Sequence, residues 1–399
     1  MFEKARISDG LARKLLCVAK HIYFERIYDI KVTKNDTLKL KPPYLILANH
    51  VSVWDPVLIN LYVNYPIQFV ASDVWFQKPL LKDLLNYLGA IPKTKNVSDY
   101  FTIKKILQAC KDNKIVGIFP EGKRTWDGIT ANILFSTAKL IKHLKIPVVT
   151  VLLKGACLAR PRWASNNRHG RIEISYDLSL SSNQVKHKSV NDIYQAISKK
   201  LYHDEYEWQH QHQFTYRGRF LADGLEKFLF ACPNCNSIGN NTSQGNYLKC
   251  TCCNYKVKYN ELGYLNALNN ETYFSNTRDW NIWQHSLLKK NLAATKANII
   301  EDCNAIYYLG NKHKQPVKVA KGRLKVNLNE LIFTNTSGED YQFLISNLEG
   351  FNVKWNDHLD FYYNKELHRF GFTNNGSAYK WVELLKYITC HNKQNLIVK

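Results

Sequence analysis

Residues 49–56 read NHVSVWDP and follow the apolar run PYLILA at 43–48. A chain leaving a buried strand there places an imidazole at His50 and a carboxylate at Asp55. A lone histidine beside an apolar strand is more often structural than catalytic. Here its company matters. Asp55–Pro56 reads as an N-cap and a favoured first helical residue, so His50 falls in the loop before a helix, although that helix could start earlier. Such a loop lets the Asp55 carboxylate fold back onto one ring nitrogen and leave the other as a base, the requirement for taking a proton from a hydroxyl.

A second strand end follows in IFPEGKRTWDG at 118–128. Phe119–Pro120 closes the strand, Gly122 permits a tight turn, and Glu121, Lys123 and Arg124 project charge. Charges at the mouth of an α/β sheet are costly unless they bind one another or a charged ligand; the plainer alternative is a solvated turn. A third chemistry lies in CPNC (232–235) and CTCC (250–253), two C-x2-C pairs with the spacing of a zinc ribbon. Cys232, Cys235, Cys250 and Cys253 are expected to form a closed tetrahedral Zn2+ site with a structural role, with Cys252 a spare; free thiols are the alternative. Asn236 would take the left-handed turn after the first pair, where glycine is usual.

The elements that carry these residues follow from periodicity. Strands are expected at TLKL (37–40), PYLILA, IQFVAS (67–72), KIVGIFP (114–120), PVVTVLL (147–153) and RIEISYD (171–177). Helices are expected at 80–88, 100–110, 133–144 and 190–204. This alternation predicts an α/β domain with a mixed sheet flanked by helices, whose ligand site lies at strand ends. Residues 11–30 have apolar side chains at helical spacing with Arg13, Lys14, Lys20 and Arg26 between them. That basic amphipathic helix suits a membrane interface or packing on its own domain. After residue 205 come a connector and the cysteine-rich ribbon (206–260), a helical connector (261–298), and a run of about seven strands with one terminal helix (299–399). Their order resembles a pleckstrin-homology (PH) or GRAM-like domain.

The blocks at 49–55 and 119–124 together resemble the His-x4-Asp glycerolipid acyltransferases, the family that includes 1-acylglycerol-3-phosphate acyltransferases. Asn49, His50, Ser52 and Asp55 match one block; Phe119, Pro120, Glu121, Gly122 and Arg124 match the other. GAIPKTK (89–95) is similar to a third block, with Lys95 where the family has arginine and Lys93 nearby, and KIPVVTV (145–151) to a fourth. Lys123 stands where the family usually has Thr or Ser. The resemblance covers roughly 40–180 and implies an acyltransferase domain at 31–205. It implies His50 as base, Asp55 as its orienting partner, and Lys93, Lys95, Glu121, Gly122, Lys123 and Arg124 at the acceptor phosphate. The implied reaction moves an acyl group from acyl-CoA or acyl-acyl-carrier protein to 1-acylglycerol 3-phosphate, giving phosphatidic acid. Another lysophospholipid or glycerol 3-phosphate as acceptor, or a non-catalytic zinc-ribbon adaptor for lipid or nucleic acid, are the alternatives.

Composition fits a peripheral protein with anionic partners. Fifty-five Lys+Arg against 33 Asp+Glu give +22, and residues 101–170 alone have 13 basic against 3 acidic side chains. An anionic membrane surface, a lysophospholipid and an acidic acyl carrier all suit that charge. Nucleic acid is not expected, because the ribbon segment has only Lys249, Lys256 and Lys258 and no stacking stripe. No apolar run approaches the ~20 residues that span a bilayer and no secretory signal is evident. Clustered cysteines then point to a reducing setting, the cytoplasm, with the enzyme peripheral on the cytoplasmic face of a membrane.

Overall fold

A computed structural model describes residues 15, 18–77, 79–93, 100–269, 271–294, 300–310, 316–373 and 376–397. Most of the N-terminal helix expected before residue 18 lies outside these residues, as does Lys95. The chain forms two compact units, residues 1–162 with 167–218 and residues 163–166 with 219–399.

The first unit is built on a seven-stranded sheet. Its strands are β1 (Asp29–Asn35), β2 (Leu45–Ala48), β3 (Ile67–Ser72), β4 (Ile91–Lys93), β5 (Ile115–Ile118), β6 (Val148–Lys154) and β7 (Arg171–Leu180), in the order β1-β7-β6-β2-β5-β3-β4. Every neighbouring pair is parallel except β6 with β7. All four residues of β2 are fully buried, which is why LILA reads as an unbroken apolar run rather than an alternating one. Helices Tyr100–Lys111, Phe135–Leu144 and Val190–Leu201 put Ile106, Ala109, Ala138, Ile141, Ile193 and Ile197 into one core with Leu45, Leu47, Val116 and Val148.

Two local expectations need correction. The helical stretch through Lys20–Phe24 and Glu25–Ile27 stops before residue 30, because the β-branched run from Ile30 pairs with β7 as the sheet's edge. Phe24 of that stretch buries its ring against Trp54, while Leu15, Val18 and Ile22 are exposed. TLKL is not a strand: Asp36–Lys39 is a 3-10 turn, opened by the Asn35 side chain accepting from the Thr37 amide. Residues 206–218, read as connector, fold with the first unit through helix Glu205–His212 and the His169–Arg217 bridge. Buried Trp208 and Tyr216 anchor them.

In the second unit β8 (Asn241–Gln244), β9 (Tyr247–Cys250), β10 (Lys256–Tyr259) and β11 (Leu265–Ala267) form a small antiparallel sheet in the order β11-β10-β9-β8. Helix Thr277–Ala294 follows. Then come β12 (Ile300–Gly310), β13 (Val317–Val326), β14 (Glu330–Asn335), β15 (Asp340–Leu344), β16 (Glu349–Lys354), β17 (His358–Tyr363) and β18 (Glu366–Phe372), paired β15-β14-β13-β12-β18-β17-β16. β13 is bulged where Tyr307 pairs with Ala320 and Tyr308 with Lys318. Helix Ala378–Ile397 covers this mainly-β region, and Asp302 on β12 accepts from both Lys380 Nζ and Trp381 Nε1.

Gly117 in β5 sets how closely the sheet packs near its carboxyl edge. A Cβ there would intrude on the Phe69 ring and on Ile67, and Phe69 stacks on Phe119. Gly117→Ala is therefore expected to destabilise the protein by about 1–3 kcal/mol, the usual cost of overpacking. A urea midpoint lowered at unchanged slope would show it; an unchanged midpoint would mean Phe69 moves aside at no cost.

Candidate active site

Parallel register brings the two sequence blocks together. β2 lies between β6 and β5, and Leu47 pairs with Ile118. Three residues beyond each partner, His50 and Glu121 therefore arrive side by side at the common carboxyl edge. The His50 amide donates to Glu121 Oε1 at 2.7 Å. On the other flank, the buried Asn49 side chain extends the β2–β6 ladder by donating to the Leu153 carbonyl (2.9 Å) and accepting from its amide (2.8 Å). The turn is thus fixed on both sides before His50 projects.

His50 Nδ1 lies 2.8 Å from Asp55 Oδ2, and Asp55 is completely buried. The same carboxylate accepts the Val51 amide at 2.8 Å and the Ser52 amide at 3.0 and 2.9 Å. These donors hold the acid in place where water does not reach it. Trp54, not Asp55, occupies the N-cap, and Asp55 is the first residue of helix Asp55–Asn60. Its oxygens face back to the loop and the imidazole, so they cannot cap the helix as well. With Nδ1–H donated to the carboxylate, a neutral imidazole carries its lone pair on Nε2, the tautomer a general base needs. Phe119 stacks on the ring at 4.1 Å between centroids and 19° between planes, which fixes its tilt. Ser52 serves the loop: its hydroxyl oxygen accepts the Trp54 amide at 3.3 Å.

Glu121 is buried, and its second oxygen accepts the Ala131 amide at 2.7 Å. Burial pushes its pKa up to about 8, against the pull of these two amide bonds. The carboxyl therefore ties the strand end to the His50 loop and to residue 131. Gly122 has a φ of +68° and sits exposed at the turn, a backbone conformation that disfavours any side chain. Arg124 follows, half-buried; burial lowers its pKa, with Arg160 adding to that and Asp55 opposing it. Its carbonyl accepts Arg162 Nη1 at 2.8 Å, and that guanidinium lies over the Trp126 ring.

Residues 29–154 match the family model described as Acyltransferase. The chain carries an acyltransferase-family domain. A protein of Bacillus subtilis (strain 168) named 1-acyl-sn-glycerol-3-phosphate acyltransferase is 26% identical over 101 residues, which is 25% of this chain and 51% of that protein. The chain thus spans about half the length of this curated relative. The crystal structure of the 1-acyl-sn-glycerophosphate (LPA) acyltransferase PlsC from Thermotoga maritima is 18% identical, covering 50% of this chain and 79% of that one with a TM-score of 0.43. A chain of the 8S snRNP assembly intermediate is 12% identical over 24% of this chain and 84% of its own, with a TM-score of 0.20.

Within the acyltransferase domain, His50, Asp55, Glu121, Gly122 and Arg124 gather at the ends of β2 and β5. Lys123 is exposed on the same turn. Lys93 ends β4, at the same sheet edge but two strands beyond β5, which at ~4.8 Å per strand is roughly 10 Å from it. Sequence reasoning missed Arg160, Arg162 and Tyr28. The two arginines follow β6 in GACLARPR, beyond the short helix Ala156–Ala159 rather than directly at the strand end. Tyr28 had no comparable signal; its hydroxyl donates to Asn167 Oδ1 at 3.1 Å, and burial pushes its pKa up to about 12.

The four expected cysteines of the second unit converge. Their sulfurs all lie within 4.8 Å of one another, with Cys232–Cys253 at 3.6 Å and Cys235–Cys250 at 3.7 Å. A tetrahedron with ~2.3 Å metal–sulfur bonds has edges of roughly 3.8 Å, so these spacings suit a thiolate-bound ion. Each pair closes the same knuckle: Asn236 N donates to Cys232 O and Asn254 N to Cys250 O, with both asparagines left-handed at φ of +58° and +60°. Asn236 behaves as its position suggested; Asn254 is its counterpart. Cys252 is exposed and outside the cluster.

The raised pKa of Glu121 has a signed consequence. A carboxyl whose folded value stands near 8 binds a proton that the unfolded chain, near 4.5, releases. Stability from this group is present below about 4.5 and is lost as pH rises toward about 8. Glu121→Gln removes the titration while losing one amide partner, a pH-independent cost of about 1–3 kcal/mol. The Tm gap between wild type and variant is therefore expected to narrow from pH ~5 to ~8; a gap that widens would place the carboxyl's pKa below the ordinary range.

Proposed function

We propose that this protein transfers a fatty acyl group from a thioester, acyl-CoA or acyl-acyl-carrier protein, to the free hydroxyl of 1-acylglycerol 3-phosphate. The product is phosphatidic acid. The observation that carries the reading is the 2.8 Å contact between His50 and buried Asp55 at the carboxyl edge of an acyltransferase-family sheet. His50 Nε2 takes the acceptor's hydroxyl proton as the oxygen attacks the thioester carbonyl; collapse of the tetrahedral intermediate breaks the C–S bond and the imidazolium returns the proton to the departing thiolate. Asp55 holds the tautomer and stabilises the imidazolium. Gly122, Lys123 and Arg124, with Lys93 and Lys95 from the neighbouring block, bind the acceptor phosphate. Glu121, which the family resemblance placed among those ligands, acts through the His50 amide as a positioning residue. The acceptor's identity rests on the resemblance and on the relatives' names.

The enzyme is proposed to work on the cytoplasmic face of an anionic membrane. No described helix is long and apolar enough to cross a bilayer. Exposed Leu15, Val18 and Ile22 share helical spacing, as expected of an element lying in the interface. The C-terminal strands and helix keep the element order of a PH or GRAM-like module, and Lys318 and Lys321 are exposed on β13. Cys232, Cys235, Cys250 and Cys253 are proposed to hold one structural Zn2+, which would fix the ribbon's fold and take no part in acyl transfer.

Two outcomes test this reading. Wild type is expected to acylate lysophosphatidic acid in anionic vesicles, and His50→Ala to lose roughly 10²–10⁴ of that rate while keeping its Tm. A variant as active as wild type would remove His50 from the chemistry, whereas silence of wild type across a lysolipid panel would leave the adaptor reading. Metal analysis of purified protein should give one zinc per chain. Cys252→Ser should retain it and Cys250→Ser should lose it; zinc retained in the latter would place the ion elsewhere.

A further inference from the structure

Two guanidinium groups flank the catalytic loop, and only one has been given a role. Arg124 leaves the end of β5 and Arg160 leaves the end of β6, the two strands that sandwich β2. Both are half-buried. Burial lowers the pKa of Arg124, the buried Asp55 carboxylate raises it, and Arg160 lowers it further, so one carboxylate stands near two guanidinium groups. The net positive charge left away from water is a cost that a bound anion would offset.

Arg160 is also held in place. Its Nη1 donates to Asn167 Oδ1, and the same oxygen accepts the Tyr28 hydroxyl at 3.1 Å. Two residues further on, Arg162 donates to the Arg124 carbonyl, so the segment that carries Arg160 is bonded to the segment that carries Arg124. Behind it, the Gly155 amide donates to the buried carboxyl of Glu205, and a Cβ at Gly155, with φ of +77°, would collide with the Arg171 carbonyl. The turn out of β6 therefore has little freedom.

We infer that Arg160, held by Asn167 and Tyr28, is a second guanidinium of the acceptor-phosphate site, binding the phosphate together with Arg124 and selecting acceptors that carry one. This deepens the function proposed above and rests on it. The planar fork of Arg160 supplies the bidentate grip that lysine at position 95 lacks. Asn167 and Tyr28 contribute neutral oxygens, so they orient the fork without cancelling its charge.

Kinetics with two acceptors test the assignment. For lysophosphatidic acid, Arg160→Gln is expected to raise KM about tenfold or more with kcat within about threefold, the pattern of lost ground-state binding. For a monoacylglycerol, which has no phosphate, the same variant should match wild type. Arg160→Lys should recover part of the KM, and Asn167→Ala, which frees the fork without removing it, should fall between. An unchanged KM, or an equal rise with both acceptors, would overturn the proposal. Calorimetric titration with glycerol 3-phosphate separates it from the acyl-transfer reading. Binding weakened about tenfold in Arg160→Gln, with no transfer by wild type, would keep the anion site and sink the enzyme reading. Transfer and binding both indifferent to Arg160 would do the reverse. Matching far-UV circular dichroism and Tm exclude a folding defect as the cause.

Discussion

Parallel pairing of β2 with β5 and β6 is the constraint from which the site follows. Leu47 is fixed opposite Ile118 on one side and Thr150 on the other, so β2 and β5 leave the sheet at nearly one level while β6 runs on to Lys154. A slip of one residue would turn every side chain to the opposite face and separate His50 from Glu121. Burial prevents the slip, because β2 is fully buried along its length. The same central strands that form the core thus fix the His50 loop, and the loop adds its own locks. Asn49 bonds to β6 through its side chain, and the His50 amide bonds to Glu121 beyond β5.

Both buried acids of the site are bound mainly by backbone N–H groups, although at Glu121 burial outweighs those bonds and pushes the pKa up to about 8. Asp55 accepts from Val51 and Ser52 as well as from the imidazole; Glu121 accepts from His50 and Ala131. Backbone donors satisfy buried oxygens without bringing a further cation into the core. The basic side chains accordingly stand on the turn at 123–124 and beyond the end of β6.

Much of this was legible in the sequence. LILA and IVGI read as strands because both faces of a parallel sheet are covered, and the two strand-end blocks stood out because charged residues follow apolar runs. What was not legible depended on partners distant in the chain. β1 pairs with β7, some 140 residues away, and its alternating IKVT was masked by the amphipathic spacing that precedes it. TLKL looked like a strand by composition, but the Asn35 side chain offers the Thr37 amide a local alternative. Residues 206–218 lacked a periodic signal because their anchors, Trp208 and Tyr216, are buried singly. The end of β6 went unread because its two arginines are separated from the strand by a short helix, Ala156–Ala159.

The second unit shows the opposite balance between core and local ligands. Strands β8, β9 and β10 have four residues each and β11 three, and the buried side chains between them are few: Leu248, Tyr255, Val257, Tyr259 and Leu265 are the main ones. A sheet of that size buries too little apolar area to offset the entropy of ordering its chain, and small domains of this kind usually depend on a staple. The cysteine pairs stand at two turns, each turned by a left-handed asparagine, where a bound ion would supply such a staple. Four thiolates this close repel one another, so the arrangement would be stable in its ionised form only around a cation.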